Sequence, residues 1–361
     1  MCGRTSCALK KDHLLRACQY RNKDGTYECP EWKDLDESGK YEPSYNIPPR
    51  SYSGVLIHSS QLDSVGQNGG PSGESSGVVT TERVATAMFW TFVPSWWDRT
   101  SSRKAAPSTF NCRIESCLTR PFFRGAIEAG RRCVAVAEGY YEWKDMRKSG
   151  KQPYFVYAQQ PEAISLVDRS WEDSDVENLY QEGRWHGPRL LTMAAIFDIT
   201  ASRRFGFSIL TMEAPQHMRW LHSRVPVILD GEEAVSSWLD PGRSSRELIS
   251  TCTAEFPTNL QSHPVANTVG RVSNKGIECV LPLPEEKKKR KGTLMDKWLN
   301  RGSQNPVAGE GAGPAKRAKP VEPGGDGKER RGIGTQLLCS RAVEEAMRSR
   351  SCSPQQEVEP K

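Results

Sequence analysis

Apolar residues in this chain are gathered into short β-forming runs at 54–58, 84–93, 132–137, 153–158, 190–197 and 207–211. Runs of this length and type, closed by turn-forming or polar residues, read as strands. Helical patterning is limited to short stretches at 11–18 and 232–239, the second stopped by Pro241-Gly242. Strands and helices do not alternate, which argues against βαβ units, and no glycine-rich phosphate loop is present. The expected fold class is α+β: a mostly antiparallel sheet or open barrel with short peripheral helices. Residues 41–49 read as an extended, turn-rich stretch, and 63–77 and 170–187 as polar loops.

Composition divides the chain after Pro284. Only 36% of the 361 residues are hydrophobic, with 24 Pro and 30 Gly, which is low for a chain folded throughout. Residues 285–361 hold 17 Lys and Arg against 11 Asp and Glu and so carry the whole net charge of +6; residues 1–284 hold 33 of each sign. A folded domain at 2–284 and a disordered basic tail at 285–361 are expected. A charge-balanced domain can meet nucleic acid only through a local patch, so its overall charge says nothing about such a partner. No segment has the length of a membrane span, and no apolar run follows the N-terminus, so neither a membrane nor a secreted protein is expected. The 11 cysteines form no CxxC pair and no His-Cys cluster at zinc spacing. Reduced thiols, with no metal and no cofactor, are the expectation.

The chain begins Met1-Cys2-Gly3-Arg4. Removal of Met1, which a small second residue permits, leaves an amine and a thiol on Cys2. The amine, with an ordinary pKa of about 7.7–8.0, is partly neutral near pH 7 and can attack an aldehyde to give a Schiff base. The thiol can then add to the imine and close a five-membered thiazolidine, a step made effectively unimolecular by proximity. Taken alone, such a terminus is as readily an accident of the start codon.

Four further groups bear reactive or binding side chains, each with a structural alternative. In Phe110-Asn111-Cys112-Arg113-Ile114-Glu115, Asn111 can hold a carbonyl or substrate oxygen and Arg113 can fork onto a phosphate; the alternative is a strand end with a salt bridge. In Gly139-Tyr140-Tyr141-Glu142-Trp143-Lys144, the Glu142 carboxylate among aromatics can serve as acid or base, or simply face water. In His222-Ser223-Arg224-Val225-Pro226, His222 can shuttle protons beside a phosphate held by Arg224, or be structural. Trp96 and Trp97, after Val93-Pro94-Ser95, can stack on unpaired bases or pack into the core.

The order of these motifs along one chain is far more specific than any one of them. Met-Cys-Gly-Arg, Pro-Ser-Trp, Asn-x-Arg-x-Glu, Gly-Tyr-Tyr-Glu-Trp and His-x-Arg-x-Pro, in that sequence, resemble the SRAP family. The likeness spans residues 2–284 and takes in His263-Pro264-Val265 and Gly276-Ile277-Glu278-Cys279. It implies a sensor that links covalently to abasic sites in single-stranded DNA, with Cys2 supplying amine and thiol to the ring-opened sugar. By the same likeness Asn111 holds the terminal residue or a sugar oxygen, Glu142 handles protons near the sugar, and His222 assists ring opening. Arg4, Arg113 and Arg224 are then expected on flanking phosphates, and Trp96 or Trp97 on a base. Self-removal of Met1, with Glu142 and His222 taking part, is also implied. A cysteine peptidase built on Cys2 and His222, or a non-covalent reader of modified cytosine, are the other readings. The chain departs from the family pattern at Met88-Phe89-Trp90-Thr91-Phe92, which lacks a basic residue and a glycine, and at Val225, which replaces Met. Thr91 and Phe92 are expected to narrow the groove near the paired tryptophans.

In the tail, Lys287-Lys288-Lys289-Arg290-Lys291 reads as a nuclear localisation signal, with Lys316-Arg317-Ala318-Lys319 as a second element. Met295, Trp298 and Leu299 have the spacing of a sliding-clamp-binding peptide, although Gly292 stands where such motifs carry Gln; Gln336-Leu337-Leu338 is a weaker match. A monomer acting in the nucleus, on chromatin at replication forks, is the resulting expectation.

Overall fold

A computed structural model describes residues 3–35, 40–62, 81–97, 109–173, 176–251 and 256–284. Met1, Cys2, the polar loop expected at 63–77, the basic runs and the clamp-like motif lie outside the described residues. The first strands are β1 (Thr5–Cys7), β2 (Tyr20–Arg21), β3 (Tyr27–Glu28), β4 (Glu31–Trp32), β5 (Ser44–Ile47), β6 (Tyr52–His58) and β7 (Arg83–Phe89). They are followed by β8 (Asn111–Arg113), β9 (Arg132–Ala137), β10 (Gly139–Asp145), β11 (Lys151–Tyr157), β12 (Tyr180–Gln181) and β13 (Arg184–Trp185). The last are β14 (Leu191–Ile199), β15 (Phe205–Glu213), β16 (Arg224–Pro226) and β17 (Gln261–Pro264). Short helices punctuate them, among them α1 (Lys11–Ala17), α2 (Ile114–Cys117), α3 (Pro121–Glu128), α4 (Glu232–Leu239) and α5 (Ser245–Thr251).

One sheet has the order β17-β11-β10-β1-β5, antiparallel throughout. The larger sheet runs β16-β15-β14-β9-β6-β7-β4, with β8 added in parallel to β15. A single parallel pairing of Gly206 on β15 with Phe89 on β7 draws this sheet into a ring. A Cβ on residue 206 would sit 2.5 Å from the Thr91 carbonyl oxygen, so only glycine lets the backbones approach there. The architecture is the α+β, mostly antiparallel arrangement expected.

Strand β9 occupies the centre of the larger sheet, between β14 and β6, and all six of its residues are buried. That explains its continuous apolar run, since a strand covered on both faces has no solvent side to alternate with. Helix α4 contributes to its cover: the Trp238 indole N–H donates to the Cys133 carbonyl at 2.9 Å. The acidic first turn of α4, Glu232 and Glu233, matches the positive end of the helix. At the other end, buried Arg132 donates to the Trp238 and Asp240 carbonyls at 2.7 and 2.6 Å, filling acceptors that a helix C-terminus leaves open.

Between β9 and β10 the chain passes from one sheet to the other. Glu138 stands at the crossing, buried, ion-paired with buried Arg169, and accepting the Ala8 N–H at 2.6 Å. Its own N–H donates to the Ser6 carbonyl at 2.8 Å, so the crossing is stitched to β1 from both sides. Gly139 follows because a Cβ there would lie 2.5 Å from the Phe155 ring and 2.6 Å from the Val156 carbonyl oxygen.

Some local expectations change. The run at 84–93 ends as a strand at Phe89, because Phe92 turns into the core against Phe122 and Phe123. Thr91 is buried and donates to the Trp90 carbonyl. Neither residue narrows a groove, contrary to expectation; the phenylalanine cluster claims one and the local backbone the other. The 170–187 stretch holds two 3-10 turns and the β12–β13 hairpin rather than plain loop. Helix α3, unanticipated, starts with Pro121 and buries Phe123, Ala126 and Ile127 along one face.

Candidate functional site

Strand β1 lies beside β10, the strand that carries Glu142. Its register against β10 pairs Thr5 with Tyr140 and Ser6 with Gly139. The Tyr141 N–H donates to the Arg4 carbonyl at 2.9 Å, so the contact with β10 extends one residue further, next to Glu142. Glu142 is 4% exposed, and its Oε1 accepts the Trp143 N–H at 3.2 Å. Alternation along β10 turns Tyr140, Glu142 and Lys144 to one face and Tyr141 and Trp143 to the other. The carboxylate is therefore buried at the sheet interior and does not face water.

Arg4, expected on a phosphate, already has protein partners. Its Nη1 donates to the Asn46 side-chain oxygen at 2.7 Å and to the Val269 carbonyl at 2.8 Å, with the guanidinium 5.9 Å from the Trp143 ring. Burial lowers its pKa. Asn46, fully buried, directs its amide nitrogen to the carbonyls of Val269, Arg271 and Asn274 at 3.0, 3.0 and 2.6 Å. It ties the terminal strand to a loop more than 220 residues away. Sequence reasoning passed it over; the available signal was a polar amide between Tyr45 and Ile47, next to Pro48-Pro49.

The remaining groups are arranged along β15. Going from its start, Gly206 lies where β7 ends, Ile209 pairs with Asn111, Thr211 with Arg113, and Glu213 with Arg224. At roughly 3.3 Å per residue the span is about 23 Å. Asn111 is half-buried; its carbonyl accepts the Thr109 hydroxyl at 2.6 Å, and the preceding Phe110 carbonyl accepts the Trp90 indole N–H at 3.0 Å. Arg113, at the exposed end of β8, makes no ion pair among the described residues. Arg224 makes a two-pronged pair with Glu115, at 2.5 and 3.0 Å, and also donates to the Thr211 carbonyl at 2.6 Å. The salt bridge foreseen for this motif is thus made through Glu115 and Arg224.

His222 precedes β16. Its Nδ1 lies 3.0 Å from the Arg224 N–H and 3.3 Å from the Arg224 carbonyl oxygen, so the backbone of β16 fixes the ring. The two sheets meet near it through a ring pair: Tyr154, directly across from Glu142, lies 5.0 Å from Trp220, two residues before His222. Asn111 belongs to the ring-shaped sheet, His222 lies just before its strand β16, and Glu142 belongs to the five-stranded sheet. Trp96 is 60% exposed and Trp97 half-buried, their rings 6.3 Å apart; the turn is held by the Ser95 N–H on Asp198 at 2.8 Å. Among the described residues no His, Cys, Asp or Glu cluster has metal-binding form, and no helix is long and apolar enough to cross a membrane.

A buried acid, a histidine, an amide and an exposed arginine are groups that can move protons and bind a phosphate-bearing substrate. Comparison with known proteins narrows the class. The profile of the family described as SOS response associated peptidase (SRAP) matches residues 1–272. The chain is 37% identical over 292 residues to the abasic site processing protein HMCES of Gallus gallus, covering 78% of each. It is 37% identical over 310 residues to the Rattus norvegicus protein of the same name, covering 83% of this chain and 82% of the relative. It is 30% identical over 203 residues to the abasic site processing protein YedK of Escherichia coli, covering 54% and 74%.

Proposed function

The chain belongs to the SRAP family, and from that membership and the site's geometry we propose that it captures abasic sites in single-stranded DNA through Cys2. The observation carrying this reading is the β1–β10 register, extended by the Tyr141 N–H on the Arg4 carbonyl, which holds a residue two positions from Cys2 against the neighbour of buried Glu142.

The reaction balances without a cofactor. His222 hydrogen-bonds the sugar ring oxygen as the closed form opens to the aldehyde. The Cys2 amine adds to the aldehyde carbon, and water leaves as the C=N bond forms, with Glu142 carrying protons between nitrogen and departing oxygen. The thiol then adds across C=N: sulfur bonds the carbon, its proton passes to nitrogen, and a thiazolidine closes. Asn111 orients the terminal residue or a sugar oxygen. Arg113 grips a flanking phosphate, and Trp96 stacks on a base. Arg4 anchors the terminal strand through Asn46 in place of the phosphate contact expected for it. Arg224 reaches DNA only by exchanging Glu115 for phosphate. The adduct shields the site from strand cleavage. Single-stranded DNA is the substrate because a duplex resists exposing its sugar. The action takes place in the nucleus at replication forks, with residues 287–291 as import signal and Met295, Trp298 and Leu299 as a sliding-clamp contact.

Purified chain with its natural N-terminus, incubated with single-stranded DNA carrying one abasic site, is expected to give a heat-stable adduct that Cys2→Ser loses. No adduct, where a known abasic-site trap reacts, overturns the proposal. A residue left ahead of Cys2 turns the amine into an amide and is expected to abolish the adduct.

A further inference from the structure

Trp220 is 42% exposed, whereas Trp90 and Trp238 are 1% exposed. Its position is imposed: buried Met218 and Leu221 anchor the chain on either side, and the Arg219 side chain donates to the Ala214 carbonyl at 3.1 Å. The ring stands nearly perpendicular to Tyr154, at 82° and 5.0 Å, and the Lys144 ammonium lies 4.9 Å from its centre. Tyr154 pairs with Glu142, and Lys144 is two residues beyond Glu142 on β10, so both share the face of the buried acid. His222 follows Trp220 by two residues. An indole held in solvent, braced by one aromatic and flanked by a cation, beside the acid and the histidine, has the parts that hold a nucleobase and its phosphate.

We infer that Trp220 is a second stacking residue, receiving the base that flanks the abasic site on the His222 side, with Lys144 turning from its ring to the adjoining phosphate. The inference rests on the abasic-site reading above. The Pro94–Trp97 turn is tied to Asp198, whose strand partner is Gly206, so Trp96 and Trp220 belong to opposite ends of β15. The bound strand then runs along β15, past Asn111 and Arg113, with an aromatic at each end.

The test uses full-length chain and two oligonucleotides, one intact and one abasic. Trp220→Ala is expected to weaken binding of the intact single strand on the order of ten-fold, Trp220→Phe to retain most of the affinity, and the thermal midpoint to stay unchanged in both. The salt dependence separates the two roles. Trp220→Ala leaves the slope of log affinity against log salt unaltered, while Lys144→Gln lowers it by roughly 0.7, the loss of one phosphate contact on a single strand. Wild-type cross-linking with undiminished affinity in Trp220→Ala overturns the role of Trp220 and leaves the abasic-site reading standing. A ten-fold loss in Trp220→Ala together with no wild-type cross-link supports the stacking role and overturns the abasic-site reading.

Discussion

Asn46 does more for the site than its place in a turn-rich stretch suggests. Its amide serves three carbonyls of the 269–274 loop, while its oxygen fixes Arg4, two residues from Cys2. Asn46→Ala leaves these buried groups without partners and is expected to destabilise the fold by about 2 kcal/mol or more, measurable by urea unfolding. It should also slow adduct formation at saturating DNA, since the terminal strand loses its tether. Glu115 offers a complementary test. It is half-exposed, so Glu115→Gln is expected to change stability by less than about 1 kcal/mol. The variant frees Arg224, and single-stranded DNA affinity should rise with a steeper salt dependence in anisotropy titrations. Unchanged affinity would remove Arg224 from the DNA surface.

The passage from β9 to β10 is the structural joint on which the acid and the terminus both depend. Glu138 and Arg169 are 1% and 3% exposed at their side chains, and Arg169 also pairs with the more exposed Glu172. Removing Glu138 takes away the buried partner and leaves Arg169 only Glu172 at its outer side, so Glu138→Gln is expected to destabilise the protein by about 3 kcal/mol. Pairing it with Arg169→Met should recover part of the loss in a double-mutant cycle; losses that simply add would show that the pair is not coupled. The same joint explains why Arg132–Ala137 and Glu232–Leu239 could be delimited from sequence alone. A fully buried strand and an amphipathic helix closed by Pro-Gly announce themselves through local pattern. Helix α2 did not, because its four residues are too few for a helical period to show.

Stability should also depend on pH. His13, His58 and His263 all have pKa values lowered, in each case chiefly by burial. A histidine whose folded pKa lies below its unfolded value of about 6.5 binds more protons when unfolded. Stability is therefore complete above that value and falls as pH drops through it toward the folded pKa. Melting temperatures should decline between about pH 7 and 5.5. His263→Gln, whose amide can still reach the Val280 carbonyl that His263 meets at 2.7 Å, should flatten the decline; an unaltered profile would exclude His263 as a contributor.

Much of the molecule could be read from residue order. The short β runs specified a mostly antiparallel α+β fold, and the ordered motifs singled out Asn111, Glu142 and His222, because reactive residue types and strand patterns are local properties. The partners of those residues were not legible. Arg4 meets Asn46 and Val269 across separations of 42 and 265 residues, Arg224 meets Glu115 across 109, and Trp220 meets Tyr154 through a loop packed against another strand. Such contacts depend on strand register and loop packing, which settle only when distant segments share one core. The chain's order thus named the candidate groups, while tertiary packing decided which acid is buried, which arginine is left exposed and which tryptophan is held in solvent.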